Sequence, residues 1–218
     1  MARTTAQTRT ALLLKLLAVA AVFCSVHLLT VAGDIRIAVI VFLCAMLVGP
    51  GATSLRRIVN KAAVLAVVAL VLAICLALVL LWPDGGAQAV LIVPPFVGYM
   101  VTSGFFASSL LPGEDPVITR MCRIVRGDTL PDGLEEYARL LTWGWAILPA
   151  VLAIAGLVVF AVAGIAAWSW MTNVLSPLTL VAYFVGEHLY RGLFHRHLGT
   201  PSLLQTFDVM FNPVSWRR

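Results

Sequence analysis

Glu187, His188 and Arg191 stand together in the run Gly186-Glu187-His188-Leu189-Tyr190-Arg191, ionisable groups at the end of a long apolar stretch. Glu187 and Arg191 are four residues apart, so on a helix they share a face and can pair, with Tyr183 one turn earlier on the same side; His188, Arg191 and His195 form an overlapping column. Groups of this kind beside hydrocarbon are candidate acids, bases or ligand contacts. They also serve simply to orient a helix end at the headgroups. A second set, Arg120, Arg123 and Arg126, is interleaved with Ile118, Met121, Cys122 and Val125 at helical spacing. That pattern predicts a short amphipathic helix with a basic side, suited to lipid headgroups or to docking an acidic soluble partner.

Other chemistries lack their residues. His195 and His197 are two apart and point to different sides of a helix, and Glu187-His188 lacks the HExxH spacing that aligns two imidazoles. His27 stands alone in an apolar run and reads as a helix-packing hydrogen bonder rather than a ligand. Cys24, Cys44 and Cys75 lie in apolar runs and Cys122 in a polar connection, so all four read as small apolar fillers rather than disulfide partners. Asp132-Gly133 with Arg139 has a faint likeness to the DGxxAR opening of phospholipid alcohol-phosphotransferases, but the spacing differs and no downstream aspartate pair follows. There is no G-x-S-x-G elbow, no H-x4-D pair and no phosphate-cradling glycine loop. No metal, no cofactor and no nucleic-acid partner is expected.

What must position these residues follows from composition. Of 218 residues, 61% are hydrophobic and 11% charged, too little polar surface to cover a water-soluble globule of this length. The bilayer is the expected solvent. Runs at 11–32, 62–82, 87–111, 142–167 and 170–190 approach or exceed the roughly 20 residues a helix needs to cross hydrocarbon. A sixth, 35–52, is built on the short stretch Ile37 to Val48, extended by Ile35 and Ala52 and stopped by Gly49-Pro50-Gly51. Its alternative is a re-entrant or interfacial segment. The first run is longer than a signal-peptide core of about 7 to 15 residues and reads as an anchor.

Charge then orients the spans. Of the fifteen lysines and arginines, all but Arg36 fall before run one or near its start at Lys15, between runs two and three, between runs four and five, or after run six. Positive residues accumulate on the cytoplasmic side, so the expectation is an all-α, polytopic bundle of six transmembrane helices in the inner membrane, with both termini cytoplasmic. The cytoplasmic pieces are the segment 112–141 and the tail 191–218; a single membrane domain covers the chain. Within 112–141 the basic helix breaks at Gly127-Asp128. A second helix, capped by Thr129, Pro131 and Asp132, carries Glu135 and Arg139 as an i,i+4 pair and runs through Trp143 into the fifth span.

Trp82, Trp168 and Trp170 mark the expected outer interface, and Trp143, Trp145 and Tyr190 the inner one. Pro94-Pro95, Pro149 and Pro177 predict distorted helices, which can line a cavity. Gly98, Ser103, Gly104, Ala107 and Ser108 predict a small-residue face for close packing of the fourth span.

The ordered motifs Phe106-Ala107-Ser108-Ser109-Leu110, Pro116-Val117-Ile118-Thr119-Arg120, Leu130-Pro131, Tyr137-Ala138-Arg139, Thr142-Trp143 and Phe184-Val185-Gly186-Glu187-His188-Leu189-Tyr190-Arg191 belong to a match over roughly Phe106 to Phe207, about half the chain. In them the chain resembles small polytopic inner-membrane proteins encoded in bacterial aryl-polyene and xanthomonadin-type pigment clusters. It departs from them at Pro94-Pro95-Phe96, where an amide or aromatic-rich stretch is usual, and at Glu187-His188, where Glu-Tyr is usual. The resemblance implies a context of ketosynthases, dehydratases, acyl carrier proteins and acyltransferases rather than a reaction. The resulting expectation is a non-enzymatic accessory protein that recruits soluble acyl-carrier machinery or hands over an apolar product; its partners are the lipid bilayer and an acyl carrier protein or another cluster protein. The alternatives are a membrane enzyme or lipid transporter acting on the polyene-acyl chain, and a purely structural subunit.

Overall fold

The computed structural model describes residues 2–48, 73–75, 77, 79–82, 85–127 and 130–194. Among them there are helices and turns and no strand. The elements are α1 (Ala2–Ala32), α2 (Ile35–Val48), α3 (Gly86–Ser108), α4 (Val117–Arg126), α5 (Leu134–Trp170), a π-helical turn (Met171–Leu175) and α6 (Ser176–Phe194). Two stretches are long and apolar enough to cross a membrane, Gly86–Ser108 and Leu134–Phe194, and two shorter apolar helices lie at Leu17–Ala32 and Ile35–Ala45. Most of the expected third run, 62–82, the end of the second, the Arg56, Arg57 and Lys61 group, and the tail with His195 and His197 lie outside the described residues.

The stretch Leu134–Phe194 is not one rod. At Gly164 the backbone leaves the helix with φ +78° and ψ −174°, a region open to glycine and strained for a residue with a Cβ. Beyond it the chain runs back along itself: Gly156 lies against Thr172, Gly144 against Tyr183, and Tyr137 against Glu187. The last two pairs belong to one compact unit, where the numbers fall on one side as they rise on the other, so α5 and α6 run antiparallel there. The helix break at Gly164 lies about one turn before the expected connection near residue 167.

Contacts divide the chain into two compact units. The first, Met1–Pro95 with Gly156–Leu175, packs Val26, Ala38, Val39, Val90, Leu91, Ile92 and Trp168 into one core. Gly33 at φ +90° and Asp34 turn α1 into α2 with two residues, which brings Val26 beside Ala38 and Val39. The second unit, Phe96–Ala155 with Ser176–Arg218, centres on Phe106, Leu110, Val117 and Ala146. Trp145 stacks on Phe106 and meets Tyr183 edge-on.

Several packing expectations change. Trp168 is 3% exposed, a core residue instead of an outer-interface marker, because the earlier fold-back carries it inward along the second arm. Trp145 likewise packs against aromatic rings, while Trp82, Trp143 and Trp170 are exposed. The small-residue face of α3 does not pack as a whole: among the described residues nothing lies within 4 Å of a Cβ built at Gly98 or Gly104, and Ala107 is exposed. Of that set Ser103 makes the close contact, donating to the carbonyl of Ala146. Pro94, Pro95 and Pro149 sit inside helices, and Pro177 follows directly on the π-helical turn Met171–Leu175 within a continuous helical run.

Candidate functional site at the end of the α5–α6 hairpin

In the second unit the hairpin brings α5 beside the last turns of α6. The pair expected from sequence is present: Arg191 Nε lies 3.2 Å from Glu187 Oε1, with 8% and 11% of the two side chains exposed. It is a charge contact rather than an aligned hydrogen bond, and the buried Arg191 Nε has no hydrogen-bond acceptor among the described residues. Glu187 has a second partner, Tyr137 of α5, whose hydroxyl donates to Oε1 at 3.2 Å. Burial first and the Glu187 carboxylate second push the Tyr137 phenol well above its usual range, so it stays protonated and remains the donor. On α4, Cys122 is half-buried; burial raises its thiol, while Arg191 and Arg126 pull it down and Glu187 raises it.

Tyr183 and His188, the other expected members, contribute differently. The Tyr183 hydroxyl points at the backbone of Gly144, where a Cβ would overlap it. His188 is half-buried and forms no hydrogen bond or ion pair with any described residue. Tyr137 is the member of this cluster that the sequence does not point to. Tyr137 lies fifty residues from Glu187, and no local spacing links two arms of a hairpin.

The α4 helix forms where its apolar spacing places it, and Gly127 at φ +88° ends it by donating its N–H to the carbonyl of Arg123. Its arginines do not form one free basic surface. Arg123 Nη1 donates to Asp115 Oδ2 and Nη2 to Glu135 Oε1 at 2.8 Å, so one guanidinium fastens α4 to the preceding turn and to the start of α5. Those carboxylates hold its already high pKa higher. Glu135 is thereby engaged across the fold instead of pairing with Arg139, whose Nη2 donates to the Leu110 carbonyl at 3.4 Å. Arg120 is half-buried. The signal for this arrangement is in the segment's charge count: Glu114, Asp115, Asp128, Asp132, Glu135 and Glu136 outnumber Arg120, Arg123, Arg126 and Arg139.

Because the Arg123 bridges are well exposed, Arg123→Gln should lower stability by only about 1 kcal/mol or less. Thermal unfolding in detergent at low and high salt should show that small loss shrinking further as salt rises.

A separate polar cluster lies in the first unit. His27 Nδ1 is 3.0 Å from Ser169 Oγ, and Asn173 Nδ2 donates to the same oxygen at 2.9 Å. The Trp170 ring meets His27 edge-on. Ser169 is fully buried, which suits a tie between α1 and the π-helical turn and closes the hydroxyl to substrate. His27 is thus the interhelical hydrogen bonder its isolation in an apolar run implied.

Among the described residues no three of His, Cys, Asp or Glu lie close enough to hold a metal ion. Comparison of the chain with protein families, characterised proteins and solved structures finds no match in any of the three.

Proposed function

We propose that the chain is a six-span protein of the bacterial inner membrane that serves polyene-type acyl-lipid assembly as an accessory, handing over the apolar product at its cytoplasmic face. The observation that carries this reading is the buried Glu187–Arg191–Tyr137 cluster at the end of a hairpin whose outer surface is apolar. Leu140, Ile147, Leu178, Leu189 and Leu193 are each more than half exposed there, a surface that lipid solvates and water does not. Counting the two arms about Gly164 separately makes α3, α5 and α6 three spans, to which α1, α2 and the run at 62–82 add three. The motif resemblance supplies the polyene context. Handing over is favoured above recruitment through Arg120, Arg123 and Arg126, because Arg123 is neutralised from within.

Two measurements test this. Cysteines placed singly at positions 54, 84 and 128 should label from the cytoplasm, from outside and from the cytoplasm respectively; labelling of position 84 only from the cytoplasm sinks the six-span topology. Deleting the gene in a polyene-producing host should leave the acyl chain on its soluble carrier and deplete the membrane-bound product. Unchanged membrane product rejects the handing-over role.

A further inference from the structure

Arg36 is the exception to the charge pattern, the single lysine or arginine that falls in none of the four cationic groups. A cation on the outer side works against the positive-inside preference, so its place there calls for a use. It lines a cavity of about 440 Å³ between α2 and α3 in the first unit, a volume within the roughly 300–1,000 Å³ of small-ligand clefts. Asp34 is the other charged residue of the wall, and Gln88 adds an amide that can both donate and accept. None of these three side chains makes a hydrogen bond or an ion pair with any described residue, so Asp34 and Arg36 do not neutralise each other directly. The wall is neutral overall with one charge of each sign left to be matched, which suits a zwitterion and not a lone anion. Its apolar continuation lies on the same helix face: Ile37 lines the cavity, and Ile40 and Cys44 follow it at i+3 and i+7 on α2, all three exposed. Two apolar helices, α1 and α2, end at this point in a two-residue turn, and the exposed Trp82 ring lies against Gly85 just ahead of α3, as rings at the headgroup level do.

We propose that this cavity binds the zwitterionic headgroup of an aminophospholipid: Arg36 and Gln88 donate to the phosphate, Asp34 accepts from the primary ammonium, and an acyl chain follows Ile37, Ile40 and Cys44. A primary ammonium has N–H donors for Asp34, whereas the trimethylammonium of phosphatidylcholine has none and phosphatidylglycerol has no cation to offer. The assignment rests on the six-span topology, which labelling at position 84 tests separately. It uses neither the polyene role nor the Glu187 cluster, so binding to the purified chain succeeds or fails independently of both.

The full-length chain, purified in detergent, is titrated with phosphatidylethanolamine, phosphatidylcholine and phosphatidylglycerol, and the bound lipid is counted by native mass spectrometry. Phosphatidylethanolamine should bind about tenfold more tightly than either of the others. Asp34→Asn keeps a side chain suited to the residue that precedes a helix, and should bring phosphatidylethanolamine down to the level of phosphatidylcholine. Arg36→Gln should weaken phosphatidylethanolamine binding about fivefold. Both side chains are exposed, so both variants should fold as the parent does, which helical circular dichroism reads. Equal binding of the three lipids, or parent-like binding of phosphatidylethanolamine by either variant, overturns the proposal. Release of the bound lipid by millimolar glycerophosphoethanolamine overturns the lipid assignment in favour of a site for soluble zwitterions.

Discussion

Glu187→Ala should destabilise the folded chain by about 3 kcal/mol, because it strands the Arg191 guanidinium in a site from which water is largely excluded. The cost belongs to the orphaned charge and not to the lost attraction. Glu187→Leu combined with Arg191→Leu should therefore be much less damaging than either single change, since it removes both charges and fills the same space with carbon. Unfolding in mixed micelles, followed by helical circular dichroism, reads all three. If the double variant is as unstable as Glu187→Ala, the pair is not an isolated buried ion pair and the burial argument fails. Glu187→Gln separates structure from chemistry: it keeps the shape and an acceptor for Tyr137, and should retain most product transfer. Complete loss of product with normal membrane levels would move an enzymatic or transport role, with Glu187 as the reacting group, to first place.

Gly144→Ala should destabilise the hairpin by roughly 1–3 kcal/mol, as overpacked helix contacts do. A methyl at this position would overlap the Tyr183 hydroxyl and crowd the ring carbon that bears it. The ring has limited freedom to yield, because Trp145 meets it edge-on with centroids 5.4 Å apart. The conflict is between two specific groups, so Tyr183→Ala should relieve it. The double variant should be more stable than the sum of the two single losses predicts, with the excess reporting the overlap directly. Strict additivity of the two losses would mean that the arms do not meet at this point.

What was readable before folding, and what was not, divides by the range of the physics. Apolar runs and helix breakers act within a few residues. The sequence by itself therefore determined that the chain is helical, that α3 and the Leu134–Phe194 stretch have the length and apolarity of membrane spans, and that α4 ends at Gly127. The Glu187–Arg191 pair belongs here too, because an i,i+4 spacing on a helix brings two side chains together whatever surrounds them. His27 was legible for a related reason: a lone imidazole in an apolar helix has to find a partner on another element.

Only the tertiary structure decided which partners those groups obtain. Glu135 satisfies the i,i+4 rule with Arg139 and yet binds Arg123, because the turn at Gly127 swings α4 back beside α5 and offers a doubly paired guanidinium instead. Tyr137 joins Glu187 across a gap of fifty residues, a meeting within the second unit where Gly144 lets α5 and α6 approach closely. The fold also turns Trp168 from a surface marker into a core residue. Spacing along a helix fixes neighbours one turn away, whereas the register of two helices depends on where the chain reverses and which small residues let the backbones meet. That is why the residues that could do chemistry were visible in the sequence, and the site they form was not.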